Sequence, residues 1–211
     1  MVTATTITPN YPLSKALWKK AKPEYAKPER KYHNVEYIEE GFKRFKDLYV
    51  KPSLAQELAW IAHKVVIDPT QADNEAKSAA WIDVAFKGVR PEVGEKVAIR
   101  EAKLIVESIA DYVPKVPSAE PILDIILSRL AVSDWSAFEE YTWRLKEEAP
   151  GFDEAEWIRR SKQFSQSLLE RENIFFMPEA KRRWERRLKE NLLTSIQSHP
   201  LNQPRLFGTQ P

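Results

Sequence analysis

Residues 53–69 read Ser53-Leu54-Ala55-Gln56-Glu57-Leu58-Ala59-Trp60-Ile61-Ala62-His63-Lys64-Val65-Val66-Ile67-Asp68-Pro69, and this stretch decides the fold class. Ser-x-x-Gln at its start is a capping box, which satisfies two free N–H groups at the entry of a helix. Leu54, Leu58, Ile61 and Val65 follow at steps of three or four, the spacing of one helical face. Pro69 closes the segment because it lacks the N–H and crowds the preceding turn. Outward in both directions the same period continues. Before it, Ile38, Phe42, Phe45 and Leu48 share a face opposite Glu39, Glu40, Lys43, Arg44 and Lys46. After it, a segment from about Asp73 carries Ala76, Ala79, Ala80, Ile82 and Phe86 and stops at Gly88, a residue suited to the left-handed position after a helix. Further helices are predicted over about Glu95–Tyr112, Ala119–Ala131, Asp134–Glu148, Asp153–Arg171 and Pro178–Ile196. Nothing reads as a sheet, so the expectation is an all-α globule of seven or eight helices.

Composition narrows the class. The 211 residues are 43% hydrophobic and 30% charged, enough for one substantial core, and a single domain is expected over 31–197. Residues 1–30, with Pro9, Pro12, Pro23 and Pro28, read as an N-terminal arm with one short helix on Leu13, Leu17 and Trp18. Residues 198–211, with three prolines and Gly208, read as a mobile tail. Thirty-three Lys and Arg against 31 Asp and Glu leave a formal charge of +2, so no whole-molecule field attracts nucleic acid or membrane. The absence of cysteine excludes disulfides, thiolate zinc sites and a Cys nucleophile, and fits a reducing, cytoplasmic setting. No signal-like h-region or stretch of roughly 20 apolar residues is present, so the chain is expected to be soluble and unprocessed. The aromatic stripes Trp135/Phe138/Tyr141/Leu145, Trp157/Phe164/Leu168 and Trp184/Leu188/Leu192/Ile196 are expected as core.

Three ordered motifs carry a resemblance. Tyr32-His33-Asn34-Val35-Glu36-Tyr37-Ile38 resembles a Tyr-His-Asn-x-x-His-Ile signature. Ala59-Trp60-Ile61-Ala62-His63-Lys64, ending at Asp68-Pro69, resembles Ala-Trp-x-x-His-Asp-x-x-x-Asp-Pro. Asp73-Asn74-Glu75-Ala76-Lys77-Ser78-Ala79 resembles Asp-Asn-Glu-x-x-Ser-Ala. These are the motifs of the predicted metal-dependent phosphohydrolases of the HD superfamily. Two altered features, Ser108–Asp111 and Leu123-Asp124-Ile125-Ile126-Leu127, and then three closer matches, Tyr141–Glu148, Ile174–Pro178 and Arg187–Leu192, extend the likeness over about residues 30–196. The resemblance implies an all-α fold and a metal site built from His33, His63 and Asp124.

The departures matter for chemistry. A divalent cation in such a site would activate water and offset charge on phosphoryl oxygens. Tyr37 stands where the resemblance expects a histidine, and a neutral phenol with a pKa of about 10 is a poor ligand. Lys64 stands where it expects an aspartate, and places a cation beside the intended metal. The expectation is therefore a degraded, metal-free site in which Lys64 takes the missing cation's place and pairs with Asp124. Lys64, with Asn74, is then the candidate group for holding a phosphorylated ligand. Asp73 and Glu75 lie at a helix start, where they serve either as dipole-favoured caps or, in an active enzyme, as groups that orient or deprotonate water. An active site would retain a divalent metal on His33, His63 and Asp124, with Asp73 or Asp111.

The run Lys181–Lys189 holds six basic residues and one acidic. Arg182, Arg183, Arg186 and Lys189 form either a phosphate-binding stripe or a solvated helix face. Three functions follow: a non-catalytic protein that binds a partner or a phosphorylated small molecule, a working phosphohydrolase, or a weak nucleic-acid binder.

Overall fold

The computed structural model describes residues 9–202, and among these every regular element is helical. The chain forms two compact units, Met1–Ile126 and Leu127–Pro211.

In the first unit, α3 (Leu54–Ala62) is central and packs against α1 (Pro12–Tyr25), α2 (Val35–Asp47), α4 (Asn74–Ala85) and α5 (Val93–Glu107). All eight residues from Ala55 to Ala62 are buried, so α3 shows no solvent face and its period alone understates its burial. The capping box forms: Ser53 Oγ accepts from Gln56 N–H at 3.2 Å and Gln56 Oε1 from Ser53 N–H at 2.9 Å. Trp60 crosses α2 at Gly41 and donates from Nε1 to the Ile38 carbonyl at 2.9 Å. A side chain at Gly41 would collide with the Trp60 ring. Gly88 has φ +84°, as its place after α4 requires.

The N-terminal stretch differs from the expected arm. Residues 12–25 form a fourteen-residue helix with Leu17, Ala21 and Tyr25 fully buried. What holds it is a carboxylate from α3. Glu57 is fully buried and accepts from Asn10 N–H at 3.0 Å, Asn10 Nδ2 at 2.5 Å and Ser14 Oγ at 2.5 Å. It caps α1, whose own Tyr11 has no capping side chain. Residues 1–8 lie outside the described residues. A helix, α6 (Glu120–Ser128), spans the boundary between the units, preceded by a 3-10 turn at Pro117–Ala119.

The second unit contains α7 (Trp135–Glu147), α8 (Glu154–Leu169) and a continuous helix α9 over 178–197. That last helix comprises Pro178–Ala180, a π-helical segment Lys181–Glu185 and Arg186–Gln197. Asp134 and Asp153 cap α7 and α8 by accepting from Ser136 N–H and Glu156 N–H. Asn191 in α9 is buried and donates to the Leu130 and Val132 carbonyls at 2.8 and 3.0 Å, which fastens the loop before α7. The expected tail begins as packed structure: Pro200–Asn202 is a 3-10 turn, and His199, Pro200 and Leu201 are buried. The rest of that tail, 203–211, lies outside the described residues. Leu168, Leu188 and Leu192 are buried as expected, and Trp157, Phe164 and Leu192 line a cavity. Among the described residues, no helix is long and apolar enough to cross a membrane.

Candidate functional site

The resemblance points to the end of α3, where the helix finishes at Ala62 and His63 serves as its C-cap, six residues before Pro69. Carbonyls at and just beyond that end find partners from the N-terminal segment. Tyr25 Oη donates to the Ile61 carbonyl at 2.8 Å, and Arg30 donates to the carbonyls of Lys64 at 2.8 Å and Val65 at 2.7 Å. Arg30 lies over the Tyr25 ring. Burial pushes the Tyr25 hydroxyl pKa up, so it stays protonated. This clasp escaped sequence reasoning because Tyr25 and Arg30 sit in the segment read as an arm.

His63 is fully buried. Its Nδ1 lies 2.6 Å from the Trp60 carbonyl, which only accepts, so Nδ1 carries the proton. Its Nε2 lies 3.0 Å from the Tyr37 hydroxyl. Burial first, and then the charges of Lys64 and His33, hold the imidazole pKa well below its ordinary value. The ring is therefore neutral, and Nε2 accepts the Tyr37 proton. A metal-bound histidine commonly has this orientation, with one N–H on a carbonyl and the other nitrogen toward the cation. Here Nε2 faces the Tyr37 hydroxyl.

Around that pair the site is aromatic. Trp60 stacks on His63 with centroids 4.5 Å apart and on Tyr37 at 5.5 Å. His33 meets Tyr37 edge-on at 5.0 Å, with Tyr32 at 4.8 Å on His33. Asn34 caps α2 by accepting from Tyr37 N–H at 2.9 Å, which sets the phenol at the first turn. The two motif histidines thus both contact Tyr37.

The expected Lys64–Asp124 pair is corrected. Lys64 Nζ lies 2.6 Å from Glu75 Oε1, with both side chains mostly buried, while Asp124 is fully buried on α6. The reason is reach: His63 ends the helix, and Lys64 then points along the loop toward the first turn of α4. Glu75 is consequently an ion-pair partner. Asp73 is exposed, makes no cap, and pairs with Lys77 at 2.7 Å. Asn74 braces the 68–71 loop, accepting from Asp68 N–H at 2.7 Å and donating to the Asp68 and Gln71 carbonyls. Ser78 Oγ does the same at Val66, accepting from its N–H at 3.1 Å. Asp111 is exposed and accepts from Val113 N–H at 3.2 Å.

Among the described residues, no three His, Asp or Glu side chains converge as a metal-ligand group. The lone pair of His63 on Nε2 is taken up by the Tyr37 hydroxyl.

On α9, the basic stripe is matched by acids one turn away. Arg182 and Arg183 pair with Glu179, Arg186 with Glu190 at 2.5 Å and Lys189 with Glu185 at 2.7 Å. Two of those acids, Glu179 and Glu190, lie just outside the run that reads as basic. No protein-family model, curated protein or solved structure matches this chain, so the HD-superfamily resemblance rests on the motifs quoted above.

Proposed function

We propose that this protein is a metal-free, non-hydrolytic binding protein built on a phosphohydrolase-like helical frame. The observation that carries the reading is the Tyr37–His63 hydrogen bond at 3.0 Å. Hydrolysis in such a frame needs a cation on imidazole lone pairs to make hydroxide at neutral pH. Tyr37 spends the lone pair of His63 on a buried hydrogen bond, and the depressed imidazole pKa deprives His63 of use as a proton donor near neutrality. The acids that would assist are committed as well, Glu75 to Lys64 and Asp73 to Lys77. Because the Lys64 charge is already neutralised, the reading favours recognition of a ligand or protein partner away from this site over phosphate capture at Lys64.

The test is elemental mass spectrometry of the full chain after incubation with manganese, iron, cobalt, nickel or zinc and gel filtration. It is paired with a screen for hydrolysis of phosphomonoesters and nucleotides. The expected result is no retained metal and no metal-dependent turnover. About one metal per chain, lost in His63→Gln, would overturn the proposal and restore a phosphohydrolase.

A further inference from the structure

The second unit contains a cavity of about 250 Å³ walled by α7, α8 and α9. Its body is apolar, with Leu130, Phe138, Leu145, Phe164 and Leu192 facing it. Its hydroxyls are largely spent: Thr142 Oγ1 donates to the Phe138 carbonyl at 3.0 Å and Ser195 Oγ to the Leu192 carbonyl at 2.8 Å. Two residues of the wall carry N–H donors that are not. Trp157 Nε1 is buried and meets no acceptor among the described residues, a state that costs about 1–3 kcal/mol when nothing accepts the proton. His199 is 2% exposed, and its Nδ1 accepts from Leu201 N–H at 3.3 Å. The ring proton of the neutral form is therefore on Nε2, where no acceptor stands among the described residues.

A third donor stands on the same wall. Arg160 Nε donates to Glu156 at 2.6 Å and its guanidinium lies over Phe152, while its two terminal nitrogens make no hydrogen bond among the described residues. No Asp or Glu lines the cavity. Burial, and then the charge of Lys162, push the His199 pKa down to about 4, so its ring is neutral at neutral pH. Unspent donors over an apolar body define a complementary ligand: one acceptor-rich anionic end and one hydrocarbon end. A dry apolar cavity of about 150 Å³ holds benzene, so this volume takes about ten non-hydrogen atoms.

We propose that this cavity binds a small apolar carboxylic acid, aliphatic or aryl-alkyl, whose carboxylate accepts from Trp157 Nε1, His199 Nε2 and Arg160. The site lies in the second unit and does not depend on the reading of His63.

The experiment titrates the full chain at neutral pH with octanoate, about ten non-hydrogen atoms, and in parallel with octylamine. The readout is the indole N–H signals in proton–nitrogen correlation spectra, with the Trp157 signal assigned from Trp157→Phe. Octanoate is expected to move that signal downfield saturably, as a new hydrogen bond does, and octylamine to leave it in place. Arg160→Ala, a change at a half-exposed side chain that leaves the core intact, is expected to weaken octanoate about five- to tenfold. Ser165→Leu, which fills the cavity, is expected to abolish the shift; should that variant not fold, Arg160→Ala carries the test. The proposal is overturned by no saturable shift, by an equal shift with octylamine, or by unchanged octanoate affinity in Arg160→Ala.

Discussion

Replacing Gly41 with alanine sets two opposed effects against each other at one atom. On an open helix the change stabilises, by about 1 kcal/mol, because alanine loses less backbone freedom. At Gly41 the added Cβ would lie 2.7 Å from Trp60 Cη2 and nearer still to Cζ2 and Cε2. Trp60 is fully buried and hydrogen-bonded to the Ile38 carbonyl, so its ring has no unoccupied space to enter. Either α2 moves off α3 or Trp60 leaves its pocket. Displacing a buried tryptophan costs about 3–5 kcal/mol, which outweighs the propensity gain and leaves a net loss of about 2–4 kcal/mol. Gly94 supplies the control, since nothing lies within 4 Å of a Cβ placed there. Urea unfolding followed by circular dichroism measures both variants. Gly94→Ala is expected to equal or exceed the parent, and Gly41→Ala to lose those 2–4 kcal/mol with an altered near-ultraviolet tryptophan signal. A Gly41→Ala protein as stable as the parent would refute the packing argument, and with it the placement of Trp60 against His63.

Other expectations follow from individual contacts. Glu57→Gln replaces a carboxylate that accepts from four groups by an amide whose NH2 faces donors, and should cost about 1.5–3 kcal/mol. Hydrogen exchange should then rise in α1 before α2, and uniform protection would exclude the capping role. The pKa values of His63 and His199 are depressed in the fold, His199 to about 4. Their contribution to stability is therefore complete above the unfolded value of about 6.5 and is lost as pH falls below it toward the folded values. Urea midpoints should decline between pH 7 and 5, with a shallower decline in His63→Asn; a flat profile would contradict neutral buried imidazoles. Replacing Arg182 and Arg186 together by alanine should leave binding to a fluorescent oligonucleotide unchanged at low salt, because each arginine already has a glutamate partner. A fall in affinity and in its salt slope would restore a nucleic-acid role.

Local chemistry was legible in the sequence. The Ser53–Gln56 box, the left-handed Gly88 and the all-helical class follow from hydrogen-bond supply and apolar period, which neighbours in the chain decide. The two histidines were singled out, and the structure sets both in ring contact with Tyr37. What a side chain finds across the fold was not legible. Lys64 meets Glu75 in the loop after α3 ends at Ala62, where Tyr25 and Arg30, more than thirty positions away, take the carbonyls of Ile61, Lys64 and Val65. Nothing near Glu57 in the chain shows that Asn10 and Ser14 will meet it in the core. Trp157 and Phe164 share the period of core residues, and periodicity cannot distinguish a filled interior from a cavity wall. The sequence alone determined which segments become helices, because that choice is made within a turn or two of chain. Only the tertiary structure decided which polar atoms were left to do anything, because a donor or acceptor is spent or spare according to what packs against it.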